Sequence, residues 1–281
     1  MTPVKKIILS FIVVIFVVVG GVVIGPTMID WNAYKGDVSE KIKTLTGRDL
    51  KILGDVRVTI FPTPAIIAND ISFSNMAGAA KTSMIKLRQV EVRIALSPLL
   101  IGQIKVETIR LIKPVIELEL MADGLKNWEM KALVPKVKAM QPATKGVQVS
   151  GPSKVSVPAV VLNDFTIVDG VLNYRNSKLG TVERIEGLNA HVEAVSLIGP
   201  FQSKGSLTLR DTALTYDIAI GEVIKERTLP INLNLGISQG SASIQIGGNI
   251  LDLSGAPKFK GDLKGEGKNL GLLIEAIRRE P

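Results

Sequence analysis

Apolar residues recur at every second position along most of this chain. In GDVRVTIFPTPAI (54–66), Val56, Val58 and Ile60 share one parity and Arg57 and Thr59 the other, until Pro62 and Pro64 end the run. Val90, Val92, Ile94 and Leu96 alternate with Gln89, Glu91, Arg93 and Ala95. Ile116, Leu118 and Leu120 alternate with Glu117 and Glu119, and Asp123-Gly124 follows as a turn signal. The rhythm returns in Leu207 and Leu209, from Leu214 to Ile220, from Ile231 to Ile237, and in Ile244 and Ile246. A period of two belongs to strands with one buried face.

Elsewhere the period is helical. Trp31, Tyr34, Val38, Ile42 and Leu45 recur at steps of three and four, which predicts a helix over 31–46, capped by Asp30 and ended by Gly47. Packing on the sheet is the preferred role for this helix; a membrane-surface helix is the alternative. Ser97-Pro98-Leu99-Leu100-Ile101-Gly102 predicts one short helical turn, with Ser97 capping and Pro98 in the first helical position. Leu270, Leu273, Ile274 and Ile277 share a face of a last helix.

Ile7–Ile24 shows no period at all: IILSFIVVIFVVVGGVVI carries no charge. As a helix it would span roughly 27 Å, enough for a bilayer core. A cleaved signal peptide usually has a shorter apolar region, and no A-x-A-like site precedes Gly25-Pro26. We read a retained transmembrane helix. Lys5 and Lys6 favour a cytoplasmic N-terminus; Lys35, Lys41 and Lys43 on the other side weaken that bias, but long domains translocate largely regardless of charge. The bulk of the chain is therefore expected outside the cytoplasm.

These patterns divide the chain into a tail and anchor (1–29), a helix-plus-sheet segment (30–134), a linker or loop (135–158) and a second β-rich segment (159–281). The linker, PKVKAMQPATKGVQVSGPSKVSVP, holds four prolines among Ser, Gly and Lys. An internal echo crosses it. TIRLIKPVIELEL (108–120) and FTIVDGVLNYR (165–175) each alternate, break at Lys-Pro or Asp-Gly, and alternate again.

Composition narrows the function classes. The 281 residues are 46% apolar but only 4% aromatic, so the core material is aliphatic and global disorder is excluded. With no Cys and one His, disulfides, Cys-ligated metals and cysteine nucleophiles are excluded, and no cofactor is expected. The net charge of +8 is scattered, without basic runs or interleaved aromatics; it suits anionic headgroups and not nucleic acid.

No constellation carries catalysis. GDLKGEGKN (261–269) departs from a phosphate loop in spacing and in having Asn269 where Ser or Thr would hold magnesium, so it reads as a hairpin or strand-end turn. Glu117 and Glu119 read as a solvated strand face, and His191 as a lone surface or partly packed imidazole. No Gly-x-Ser-x-Gly elbow is present. The expectation is a protein that is not an enzyme.

A wide aliphatic stripe on one side of a long, largely antiparallel sheet must be covered, since each such side chain costs about 1.5–3 kcal/mol if left in water. The helices are few. A second sheet, closure into a barrel, or a groove holding an apolar ligand would each serve. The segments TGRDLKILGDVRVTIFPTPAIIANDISFSN (46–75), VEVRIALSPLLIGQIKVETIRLIKPVIELEL (90–120) and DGLKNW (123–128), with the preceding anchor and the IDW start of the first helix (29–31), resemble the AsmA family of bacterial envelope proteins. The resemblance covers about residues 1–130 and is looser from 159 to 281.

That resemblance implies an inner-membrane-anchored periplasmic protein with a chorein-like start and a long twisted β-sheet curled into a groove. It implies binding or conduction of phospholipid acyl chains and support of outer-membrane biogenesis, with the inner membrane, phospholipid and envelope proteins as partners. The groove candidates are Val56, Val58, Ile60, Val92, Ile94, Leu96, Ile116 and Leu118. The alternative is a membrane-tethered scaffold or assembly factor for outer-membrane proteins, with a dry core. Family members are commonly longer, and an ending just after a helix at Glu275–Pro281 is open to three readings: a fragment with an incomplete second segment, a truncated gene or a short member.

Overall fold

The computed structural model describes residues 29–61, 63–100, 103, 105–129, 164–194, 200–222, 228–237, 242–252, 258–268 and 270–277. The expected anchor at Ile7–Ile24 and the expected linker at 135–158 lie outside them. Among the described residues, no helix is long and apolar enough to cross a membrane.

A 3-10 turn (Trp31–Tyr34) runs into α1 (Lys35–Thr46). Asp30 accepts the Asn32 N–H at 3.0 Å, and Gly47, at φ 74°, ends the helix by donating to the Lys43 carbonyl. Two short strands follow, β1 (Leu50–Ile52) and β2 (Val56–Thr59), then β3 (Ala65–Ser74) and β4 (Ser83–Ile94). The predicted alternation through Leu96 stops at Ile94. Leu96 instead opens α2 (Leu96–Leu100), one residue earlier than the expected Ser97 cap. Then come β5 (Val106–Ile112), β6 (Val115–Leu120), β7 (Phe165–Asn176), β8 (Thr181–Ala194), β9 (Phe201–Leu209) and β10 (Thr212–Ile220). The remaining elements are β11 (Thr228–Ile237), β12 (Ala242–Leu251), β13 (Lys258–Gly267) and α3 (Leu270–Ile277).

Among the described residues, all thirteen strands belong to one mixed sheet. β1 and β2 lie end to end along β3, and β5 and β6 lie end to end between β4 and β7. From β7 onward the sheet is an antiparallel meander. β5 and β6 pair β7 in parallel, from Ile109↔Phe165 to Leu120↔Asn176; the other strand pairs are antiparallel. Strands on both sides of 135–158 thus share one hydrogen-bonded sheet. Among the described residues no pairing joins β13 to β1 or β2, so the sheet has two free edges.

A crease crosses the first eight strands. Asp70 (φ 49°), Lys113 (φ 50°), Asp169 (φ 53°) and Gly187 (φ 54°) are left-handed. The registers put them at one level: Asp70 falls between the pairs Asn69↔Gln89 and Ile71↔Leu87, and Lys113 and Asp169 lie between Ile112↔Val168 and Val115↔Val171. The gap between β1 and β2 meets the same line, where Leu53 and Gly54 donate to the carbonyls of Asp70 and Asn69. A left-handed residue inside a strand reverses the side-chain phase. Ala68 and Ile71, three residues apart with Asp70 between them, therefore face the same side; Leu87 and Val90 of β4 line the same cavity. The crease also joins the two copies of the sequence echo. The breaks Lys113-Pro114 and Asp169-Gly170 are neighbours on parallel strands, and Lys113 Nζ pairs with Asp169 at 3.2 Å.

Two sequence readings are corrected. Residues 261–267 are the body of β13, with the turn only at Lys268. Gly261 is tolerated there because it packs face to face with Gly248, where an added Cβ would meet the Lys260 carbonyl at 2.4 Å. Glu119 is not solvated: it is buried, and its carboxylate accepts the Ala80 N–H at 2.8 Å and the Ser177 hydroxyl at 2.6 Å. Glu117 lies beside it on the polar face, accepting Asn173 Nδ2 at 2.8 Å.

Candidate functional site: one apolar face

Cross-strand register carries a single apolar side from edge to edge. Above the crease it runs through Leu50, Phe73, Ile85, Ile116, Leu172 and Ile185 to Leu209. It continues through Leu207, Leu214 and Ile237, and through Leu235 and Ile244. Below the crease, Val58, Ile66, Val92, Ile109, Phe165 and Val192 extend it. The other side is polar, held by ion pairs such as Lys204–Asp217 at 3.3 Å and Arg184–Glu186 at 2.6 Å. His191 belongs there, 49% exposed, between Asp164 and Glu193 at 3.2 Å each.

Helices cover the two ends of the apolar side. At the far end α3 seats Leu273, fully buried, on Leu214, Ala242 and Ile244. At the near end the 3-10 turn and α1 stand over β1 to β5. They enclose a half-open cavity of about 520 Å³. Trp31, Tyr34 and Val38 form its roof; Ile52, Ile71, Leu87, Val90 and Leu111 belong to its floor. Between the two helices, Ile116, Leu118, Leu172, Tyr174 and Ile185 remain half-buried. Trp128 lies against Tyr174 there, ring centroids 6.3 Å apart.

The eight groove candidates fall in four places. Val56, Val58 and Val92 are half-buried on the apolar side near the cavity, and Ile116 and Leu118 are half-buried on the stretch between the helices. Ile94 ends β4 beyond a register shift, and Ile60 follows β2. Leu96 belongs to α2 and is half exposed. Most of the cavity was missed by sequence reasoning. Ile71 has the opposite parity to Ala68 on its own strand, and the left-handed Asp70 between them brings both to one side. The roof was legible as the apolar stripe of α1.

A buried polar knot fixes the edge of β6. Asn127, fully buried, pairs with Glu119 as a strand would: its backbone N–H donates to the Glu119 carbonyl at 3.0 Å and its Oδ1 accepts the Glu119 N–H at 2.8 Å. Asn127 Nδ2 donates to the Glu117 carbonyl at 2.7 Å and to Asn75 Oδ1 at 3.1 Å. Arg48, buried at the end of α1, donates to the Asn127 carbonyl and to Met84 Sδ, and its burial lowers the guanidinium pKa from its ordinary value. Thus TGR (46–48) and DGLKNW (123–128), far apart in sequence, meet in one place.

The sequence model of the AsmA family matches residues 1–266. The chain belongs to the AsmA family. Comparison with curated proteins and with solved structures gives no match. The match extends well beyond the first 130 residues and takes in the meander to the end of β12 and most of β13. AsmA proteins are generally envelope-associated and are not generally enzymes, and a large β-sheet with one apolar side fits a β-groove protein. Among the described residues no group of three or more His, Cys, Asp or Glu side chains is placed to hold a metal ion.

Proposed function

We propose that this AsmA protein is anchored in the inner membrane by Ile7–Ile24, N-terminus cytoplasmic and bulk periplasmic. There it binds or conducts phospholipid by laying acyl chains along the apolar side of its sheet, in support of outer-membrane biogenesis. One observation carries the reading: the apolar side is continuous from the α1 end to the α3 end, yet the side chains in its middle are only half-buried. Soluble proteins seldom leave so extended an apolar surface without an occupant. Its aliphatic character suits flexible chains.

A charge on this side separates a lipid-bearing face from a dry core. In full-length protein extracted in detergent, Leu118→Asp is melted, and photoreactive residues at Val92 and Ile116 report lipid contact. Near-normal melting with lost phospholipid crosslinks is expected. A dry core would instead bury an unpaired charge, at a cost of several kcal/mol. Collapsed melting, with no crosslink in the parent protein, would refute lipid binding and favour the tethered scaffold.

A further inference from the structure

We propose that the cavity beneath α1 is the site where a single acyl chain leaves the bilayer and enters the sheet, and that α1 is its movable cover. This rests on the lipid-bearing reading above. The lining is aliphatic and aromatic apart from one charged residue, Lys35, which is half-buried on the cover. A lysine so placed lays its methylenes on apolar surface and keeps its ammonium at the water boundary, where the headgroup of an inserted lipid would sit. The cavity-lining residues also follow closely in sequence on the proposed membrane segment. Six residues lie between Ile24 and Trp31, and the seven steps from one to the other reach at most about 25 Å.

The cover is fastened at its ends and loose between them. At its start, the Val56 N–H donates to Asn32 Oδ1 at 3.0 Å. At its end, Thr46 Oγ1 accepts the Arg48 N–H at 3.2 Å and Lys43 pairs with Asp49 at 2.8 Å. Between these points the apolar residues of α1 are incompletely covered, Val38 being 45% and Leu45 47% exposed. A helix packed for stability alone would bury this stripe. A helix that must lift over an arriving chain cannot.

The test uses full-length protein in vesicles of phosphatidylethanolamine and phosphatidylglycerol. Photoreactive residues are placed at Val38 in the cover, at Leu87 in the cavity floor, and at Ile116 and Leu172 on the stretch between the helices. The expected result is phospholipid-mass adducts at all four positions. Asn32→Ala, which frees the start of the cover, should speed the appearance of the Ile116 adduct roughly threefold to tenfold, the factor expected for one ordinary hydrogen bond. Val38→Trp, which fills the cavity from its roof, should slow it by a similar factor without lowering the melting temperature. Adducts at Ile116 and Leu172 but none at Val38 or Leu87 would overturn the entry site and leave lipid binding intact. Absence of lipid adducts at all four positions would overturn both. A peptide adduct at Val38 or Leu87, joining the cavity to another segment of the same chain, would identify that segment as the occupant and refute the entry site. Fatty-acid masses in place of phospholipid masses would refute the bilayer lipid as the occupant.

Discussion

Asn127→Ala should be among the most damaging single substitutions outside the apolar side. The side chain is fully buried and makes three hydrogen bonds, to the Glu119 N–H, the Glu117 carbonyl and Asn75 Oδ1. Asn75 Oδ1 keeps a donor in the Met76 N–H at 2.9 Å, so truncation orphans two backbone groups. At about 1–3 kcal/mol each the loss is about 2–6 kcal/mol, and water entering the vacated space brings the expectation to about 3 kcal/mol. For a chain of this size that lowers the melting temperature by about 6–12 °C. Circular dichroism of the full-length protein in detergent reads it directly. Asn127→Asp adds a control on the mechanism. Its second oxygen replaces the Nδ2 donor and faces two acceptors, which raises the folded-state pKa of the new carboxyl above the unfolded one. The deficit is then largest near pH 7 and shrinks as pH falls and the carboxyl takes up a proton it can donate. A loss below about 1 kcal/mol for Asn127→Ala, or a deficit for Asn127→Asp that widens on acidification, would refute the strand-mimicking role.

The crease makes its own prediction. Lys113 sits at φ 50° and its ion pair with Asp169 is more than half exposed on both sides. Lys113→Gly should leave stability within about 1 kcal/mol, because relief of backbone strain offsets a weak surface pair, whereas Lys113→Val should fall about 2 kcal/mol below it. Equal stabilities in urea titration would show that the left-handed turn is not needed. Limited proteolysis should cut first within 135–158, whose sequence carries Pro135, Pro142, Pro152 and Pro158. The two pieces should co-elute on native gel filtration because β5 and β6 pair β7 in register. First cuts inside 90–120, or pieces that separate without denaturant, would refute it.

Much of the fold was legible in the alternation and the caps. The helix over 31–46 was marked by Asp30 and Gly47, and both act as read, although its first turn is 3-10. Leu270 to Ile277 was marked by its apolar steps, and Leu273 is the fully buried anchor. The phase of the alternation was not legible. Sequence reading assigns a face by parity, and parity holds only while the backbone stays extended; Asp70 and Asp169 are residue types that tolerate the left-handed region, but neither type announces it. The echo at Lys113-Pro114 and Asp169-Gly170 was the one visible trace of the crease, and its meaning depended on pairing across a sequence gap. The polar knot was hidden for the same reason. Arg48, Asn75, Glu119 and Asn127 look like surface residues singly, and only tertiary contact buries them together.

The parallel junction also dictates the order in which the chain organises itself. Hairpins such as β7–β8 and β9–β10 close over a few residues, but bringing β7 beside β6 closes the span from Leu120 to Phe165, with an entropic toll of about 3 kcal/mol before any bond forms. Strand pairs with near neighbours therefore assemble first, on either side of the junction, and the halves meet as preformed ribbons. Until they do, the β7-facing edge of β5 and β6 is a naked template open to any passing strand. For a polypeptide made from its N-terminus, that interval begins when Leu120 emerges and lasts at least until Asn176 follows. The vulnerable species in the life of this protein is thus a half-built sheet.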